Sequence, residues 1–321
     1  MNLLDLLAVA IPSLYMGWTI GADDAGAAMG SAVGAGVLTI RRAVLLIAVF
    51  TTAGAVLEGH KVVKTLGKGV VQAHLDPVLA GATVFVAAVW CHVAVMLGVP
   101  ISTTQATVGA IAGTGYALGL PVNWSKLSEI AVSWLVAPTI AAAPAYVISR
   151  WLRRELRSRR RSLGELERMM RLFLMVSGCY VAYSIGANNA ANAVAPLVMA
   201  GVLDVRTASV IGGVMISLGA LTAGSRVIET VGRKITKLDP ITAFSAQLSA
   251  AMVTHGASEF GLPISINETT SGAVIGVGLS QGELNLYTVR KILITWVASP
   301  VGAFLMAFAL ARLYLLAKGA V

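Results

Sequence analysis

Polar residues are scarce along this chain and return at regular places. Apolar stretches of about twenty residues recur from one end to the other, each enough for a helix across the roughly 30 Å core of a bilayer. Within each half they follow one order. A segment interrupted by a polar motif comes first (5–38, then 172–203), followed by an apolar span (43–57 and 208–223). A short amphipathic, glycine-bearing piece (60–72 and 225–237) is expected at the membrane interface. A further span (78–97 and 241–260) leads into a Pro-Ile-Ser segment. The closing span (128–148 and 290–316) holds Pro138 or Pro300, where kinks are expected.

The two successions are copies. Gly21 maps to Gly186 and Lys61–Gly67 to Arg226–Gly232 at an offset of 165; Leu75-Asp-Pro77 maps to Leu238-Asp-Pro240 and Gly98–Ser102 to Gly261–Ser265 at 163; Trp134–Pro138 maps to Trp296–Pro300 at 162. Five anchors in one order divide the chain into a first repeat, 1–149, a basic linker, 150–167, and a second repeat, 168–321. The expected fold is an all-α polytopic membrane protein. It has two inverted-topology repeats, broken helices at the polar motifs and re-entrant hairpins at the Pro-Ile-Ser segments.

Composition sharpens the class. Hydrophobic residues make up 57% of the chain and charged residues 12%, against roughly 25% charged in soluble domains. The net charge of +9 comes from residues lying between apolar runs and not along one face, which excludes nucleic acid as a partner. The densest run, Arg150 to Arg161, makes the linker cytoplasmic by the positive-inside rule and also suits anionic lipid. If each half crosses an odd number of times, both termini face outward. The basic segments 61–68 and 226–237 do not share that polarity, and the denser linker decides. Cys91 and Cys179 lack metal-ligand spacing and read as packed thiols. The first residues lack a basic n-region and read as the start of a helix, not a removable signal.

The chemistry concentrates in Gly21-Ala-Asp-Asp-Ala-Gly-Ala-Ala-Met-Gly30 and its copy Gly186-Ala-Asn-Asn-Ala-Ala-Asn-Ala193. An ionised aspartate in a bilayer costs several kcal/mol unless it is paired, hydrated or holding a cation. Asp23 and Asp24 alone would also suit a solvated surface loop. Amides at matching places in a second copy point instead to a buried polar site, as in transporters with broken helices. The other polar segments are Pro100–Gly109 and Pro263–Gly272. About twenty residues from Pro100 either cross once or fold back as a hairpin. Ser102, Thr103 and Thr104 either bond their own helix or, with free N–H groups at a helix N-terminus, cradle an anion.

At these residues the chain resembles the inorganic phosphate transporter (PiT) family. That family pairs a Gly-Ala-Asn-Asp-x-Ala-Asn-Ala motif with a Pro-x-Ser-Thr-Thr-His/Gln motif in each half. The matches are Gly21 to Ala28, Gly186 to Ala193, Pro100 to Gln105 and Pro263 to Glu268. The resemblance implies a cation-coupled symporter in the cell membrane, with inorganic phosphate bound between the halves. It places the anion at Ser102, Thr103, Thr104, Ser265, Asn267 and Asn189. The cation falls to Asp23, Asp24, Asn188, Asn192, Gln105 and Glu268, with Na+ at Asp24 and Asn188. Hard oxygen ligands of this kind suit small hard cations. The coupling ion is Na+ or H+, sodium ahead of the proton, and no other cofactor is called for. A homodimer is compatible with this reading. Departures are clear: Asp23 stands for the usual Asn, Asn189 for the usual Asp, Ala27 for Asn, and Ile266 and Asn267 for the Thr pair, while Glu268 adds a carboxylate.

Three other readings stay open beside it, one of them a passive channel, against which duplicated broken helices favour alternating access. Sulfate or another oxyanion could replace phosphate. A membrane enzyme acting on phosphorylated lipid would need a nucleophile with its base, or a metal cluster. The four histidines (His60, His74, His92, His255) share no motif, and His255, in an apolar span, is expected to be packed or helix-bonded and not catalytic.

Overall fold

The computed structural model describes residues 2–96, 102–158, 163–230, 239–282 and 286–319. Pro100, Ile101, the stretch 231–237 and Leu238, all used above as anchors or motif members, lie outside the described residues.

The described chain is helical, with a lone bridge between Val71 and Val122. Helix α1 spans Leu3–Gly34 and begins at a reciprocal cap between Asn2 and Asp5. Helix α2, Ile40–Gly54, runs on without a break through a π turn at Ala55–Gly59, α3 at His60–Lys64 and a second π turn at Thr65–Gly69. Then come α4 (Pro77–Met96), α5 (Thr103–Ala117) and α6 (Trp124–Ser158). The second half repeats the series with α7 (Leu163–Met199), α8 (Val205–Thr222), α9 (Gly224–Thr230), α10 (Pro240–Glu259), α11 (Ile266–Gln281) and α12 (Leu286–Ala317). Asp204 caps α8; the Thr207 hydroxyl and N–H, with the Arg206 N–H, hold its exposed carboxyl below the usual range.

Six of these stretches are long and apolar enough to cross a membrane: Leu3–Gly34, Ile40–Gly69, Trp124–Leu156, Glu167–Met199, Val205–Thr222 and Trp296–Ala317. Large apolar side chains such as Leu135, Val297 and Leu305 lie exposed along them, as a lipid-facing surface requires.

The remaining long helices form two hairpins. The Thr83 hydroxyl near the start of α4 meets the Thr114 hydroxyl near the end of α5 at 2.8 Å. In the second half, Gln281 at the end of α11 donates to Thr242 near the start of α10, also at 2.8 Å. Each pair therefore runs out and back. The hairpin is built from the preceding helix plus the Pro-Ile-Ser segment, not from about twenty residues after the proline folded on themselves. The two tips meet, because Thr104 in the first turn of α5 donates to the Ile264 carbonyl at 3.2 Å.

The polar motifs do not break their helices. Helices α1 and α7 run unbroken through Gly21–Gly30 and Gly186–Ala193, which corrects the expectation of broken helices there. The reason is lateral. The motif's side chains find partners on neighbouring helices, and its small residues admit backbone contact while the i→i−4 bonds stay intact. A Cβ on Gly21 would strike the Ile216 carbonyl of α8, and one on Gly186 would strike the Thr51 carbonyl of α2. The stretch 60–72 is corrected too. It is amphipathic because Val62, Val63 and Leu66 are buried within the protein, with Gly67 against Val198 of α7, and not because it lies flat at the interface.

These contacts obey an approximate two-fold. Residues exactly one repeat apart touch: Asn189 donates to Asp24 at 2.7 Å, and the Thr52 and Ser217 hydroxyls meet at 2.8 Å. Helices α1 and α7 cross antiparallel, with Gly17 facing Ala193 and Ala28 facing Gly178 on either side of the Asp24–Asn189 contact. The second arm of each hairpin packs on the closing helix of the other half. Gly109 and Gly113 lie on the Pro300 and Phe304 carbonyls, and Gly272 and Gly276 on the Pro138 and Ala142 carbonyls. The closing helices run through Pro138 and Pro300 without interruption.

Candidate functional site

Four elements converge where the tips meet: the middles of α1 and α7 and the first turns of α5 and α11. Ser102 caps α5, its hydroxyl oxygen taking the Gln105 N–H at 3.1 Å. Ser265 caps α11, taking the Glu268 N–H at 3.3 Å. Both short helices thus aim free N–H groups and positive dipole ends into the interior.

Asp24 is 1% exposed and receives two amides, Asn189 Nδ2 at 2.7 Å and Asn267 Nδ2 at 3.4 Å. Asn192 donates to the Thr104 hydroxyl at 3.0 Å, and that hydroxyl in turn donates to Ile264. The Thr104 hydroxyl proton is therefore spent on joining the tips, while Ser102 and Thr103 lie buried in the same turn. Asn188 is fully engaged with the second tip. Its amide donates to the Ser258 hydroxyl and the Leu262 carbonyl, and its oxygen accepts the Ile264 N–H at 3.0 Å. Asp23, next to Asp24 in the motif, is half-buried.

The oxygens left over share one character. Gln105 Oε1, Asn189 Oδ1 and Asn192 Oδ1 are buried and meet no donor among the described residues, and the buried Glu268 carboxylate has the Ser102 hydroxyl near it but no hydrogen bond of good geometry. A buried acceptor without a partner costs about 1–3 kcal/mol, so these oxygens, carried on the elements that meet here, favour a cationic or hydrogen-bearing occupant. Gln105 and Glu268 occupy the third helical position after a capping serine. In a capping box that side chain folds back to the cap's N–H, yet here both turn inward with oxygens unpaired. Both are among the residues singled out from the sequence, and the Ser-x-x-Gln/Glu spacing is the local signal that places them.

Other site-supporting residues left no signal of their role. The Trp134 indole donates to the Pro263 carbonyl at 2.9 Å and so fixes the second tip from the first half's closing helix. Ser258 anchors Asn188. His255 is not simply packed: it joins Tyr180 and Glu58, and with Glu259 it forms the sole His/Cys/Asp/Glu grouping of metal-ligand geometry among the described residues.

The profile of the Phosphate transporter family matches residues 20–307. The Bacillus subtilis protein "Sulfate permease CysP" is 35% identical over 318 residues, covering 96% of this chain and 88% of that one. The Thermococcus kodakarensis protein "Putative phosphate permease TK2061" is 32% identical, covering 94% of this chain and 96% of its own length. A solved structure titled "The sodium-dependent phosphate transporter" superposes with a TM-score of 0.82 at 26% identity, over 98% of this chain and all of the other. Family and structural neighbour are transporters, so the enzymatic reading falls away. The chain is a multi-pass membrane protein and belongs to the phosphate transporter family.

Proposed function

We propose that the chain is a symporter carrying inorganic phosphate with a cation, sodium ahead of the proton. The observation that carries this is the meeting of two helix N-termini, α5 and α11, beside the buried acceptor oxygens of Gln105, Asn189, Asn192 and Glu268. The first feature attracts an anion and the second a hard cation. Held side by side, each ion lowers the desolvation cost of the other, and coupling follows from that electrostatics. In this reading Ser102, Thr103, Ser265 and the first N–H groups of α5 and α11 face the phosphate. Asp24, Asn189, Asn192, Gln105 and Glu268 supply oxygens to Na+. Asn188, with its oxygen and both N–H groups engaged by the second tip, serves as a clamp and not as the sodium ligand. Thr104 and Asn267 tie the tips to the motif helices.

Topology belongs to the same proposal. Hairpins that enter and leave on one face add no crossing, which leaves α1, α2 and α6 in the first half and α7, α8 and α12 in the second. Three crossings per half invert one repeat relative to the other, in keeping with antiparallel α1 and α7.

Sulfate is the second reading, favoured by the Bacillus subtilis relative, whose printed name is a sulfate permease. Uptake of radiolabelled phosphate into proteoliposomes, with and without an inward sodium gradient, tests the proposal. Accumulation above equilibrium that collapses with the gradient, and resists excess sulfate, is the expected result. Sulfate accumulating while phosphate does not would give the substrate to the second reading. Uptake that never exceeds equilibrium would remove symport.

A further inference from the structure

One turn below the clamp at Ser258 lies a second polar cluster. Glu58, on the π turn that follows α2, accepts from the Tyr183 hydroxyl at 2.7 Å and bonds His255 Nε2 at 2.8 Å. The other ring nitrogen, Nδ1, meets the Tyr180 hydroxyl at 2.8 Å. Lys61, on α3, pairs with Glu259 at the end of α10, and Glu259 lies 4.0 Å from His255. The titratable groups brought to this point are thus Glu58 and Lys61 from the first half, Tyr180 and Tyr183 from α7, and His255 and Glu259 from α10. The tip itself rests on the same surface, since a Cβ on Gly261 would meet Thr65 Oγ1 and the Lys61 carbonyl.

The repeat supplies an internal control. Tyr15 and His92 stand one repeat before Tyr180 and His255, and they too face each other, through Tyr15 OH and His92 Nδ1, but at 3.5 Å. Arg226 matches Lys61, yet Ala223 stands where the second copy of Glu58 would be, and Met96 where the first copy of Glu259 would be. Both tips carry a Tyr–His couple. Among the described residues, Glu58 and Glu259 tie the second couple to the opposite half, and the matching positions of the first hold no acid.

We propose that Glu58, Lys61, His255 and Glu259 are positioning residues that latch the second hairpin tip against the first half, a latch whose two acids have no counterpart at the matching positions of the first tip. This rests on the transporter reading of the site. In an inverted pair of repeats the two tips are the two doors, so an ionic latch on one makes the resting transporter one-sided. A partly solvated ion pair, Lys61–Glu259, with the His255–Glu58 hydrogen bond beside it, suits such a door, because contacts of this kind are weak enough to break in every cycle. Asn188 binds the latched tip at Leu262 and Ile264, so releasing the latch also loosens the anion side of the site.

The test uses the full chain in proteoliposomes, with Cys91 and Cys179 replaced by Ala and a reporter at Leu262→Cys. Labelling by a membrane-impermeant maleimide is timed without substrate or ion gradient. Lys61→Glu should speed labelling several-fold, and adding Glu259→Lys should return it to the parent rate by restoring the pair in reverse. His255→Phe keeps the ring against Tyr180 and Tyr183 but removes both nitrogens, and should also speed labelling if Lys61→Glu fails to fold. His92→Phe should leave it unchanged. Unaltered labelling in Lys61→Glu and His255→Phe, or an exchange variant as fast as the single one, would overturn the latch. The readout needs no transport, so a parent chain that accumulates no phosphate counts against the proposed function alone.

Discussion

Asp24 is the residue on which the site turns. It is buried, it accepts amides from α7 and α11, and among the described residues no cationic side chain hydrogen-bonds to it. Asp24→Asn should abolish sodium-stimulated uptake while the protein still inserts and elutes as a single species; sodium-driven uptake at the parent rate would refute its role. The two threonines of the α5 turn should part company. Thr103→Val removes a hydroxyl from the proposed anion side and is expected to weaken anion binding by about 1–3 kcal/mol, read by calorimetry with phosphate. Thr104→Val instead unpairs Asn192 and Ile264 and should lower the melting temperature as well. Glu268→Gln keeps the shape of the side chain and discards its charge. The sodium concentration for half-maximal uptake should rise more than the phosphate concentration does, and an equal change in both would take Glu268 out of the cation set.

At the scale of elements the hairpins depend on backbone contact with the opposite half. Gly272 lies on the Pro138 carbonyl with no room for a side chain, and Gly109 lies on the Pro300 carbonyl in the same way. Any larger residue must push α11 off α6, or α5 off α12. Overpacking of this kind costs about 1–3 kcal/mol or more. Gly272→Val should therefore lower thermal stability in detergent clearly more than Gly256→Val, since a Cβ on Gly256 meets nothing within 4 Å. Equal melting temperatures for the two would show that the close approach is not needed. The hairpin arms were visible in the sequence as apolar stretches. Their direction was not, because an arm and a full span have the same composition, and only Thr83–Thr114 and Thr242–Gln281 reveal the return.

For the whole molecule the prediction is one of sides. Three crossings per half put Asn2 and Arg154 on opposite faces of the membrane, with Arg154 cytoplasmic. Impermeant labelling of Asn2→Cys and Arg154→Cys in whole cells should modify the first and spare the second. Modification of both from one side would refute the inverted arrangement. The approximate two-fold explains why the site lies at the centre: residues one repeat apart can touch only on the axis, and Asp24 and Asn189 do so.

What the sequence determined by itself was the duplication, the membrane class and the motif residues. These follow from local properties: apolar run length, an offset that holds across five anchors, and polar types that bilayers do not tolerate idly. It misjudged how the motifs are accommodated, predicting broken helices where α1 and α7 are continuous. Whether a helix must unwind depends on which partners its polar groups can reach sideways, and that is not written in the segment itself. The exchange of hairpin arms between halves, the use of Asn188 to clamp a tip, and the tie from Glu58 to His255 across 197 residues belong to the same class. Each is a contact between distant positions, and only the assembled tertiary structure decides which distant positions meet.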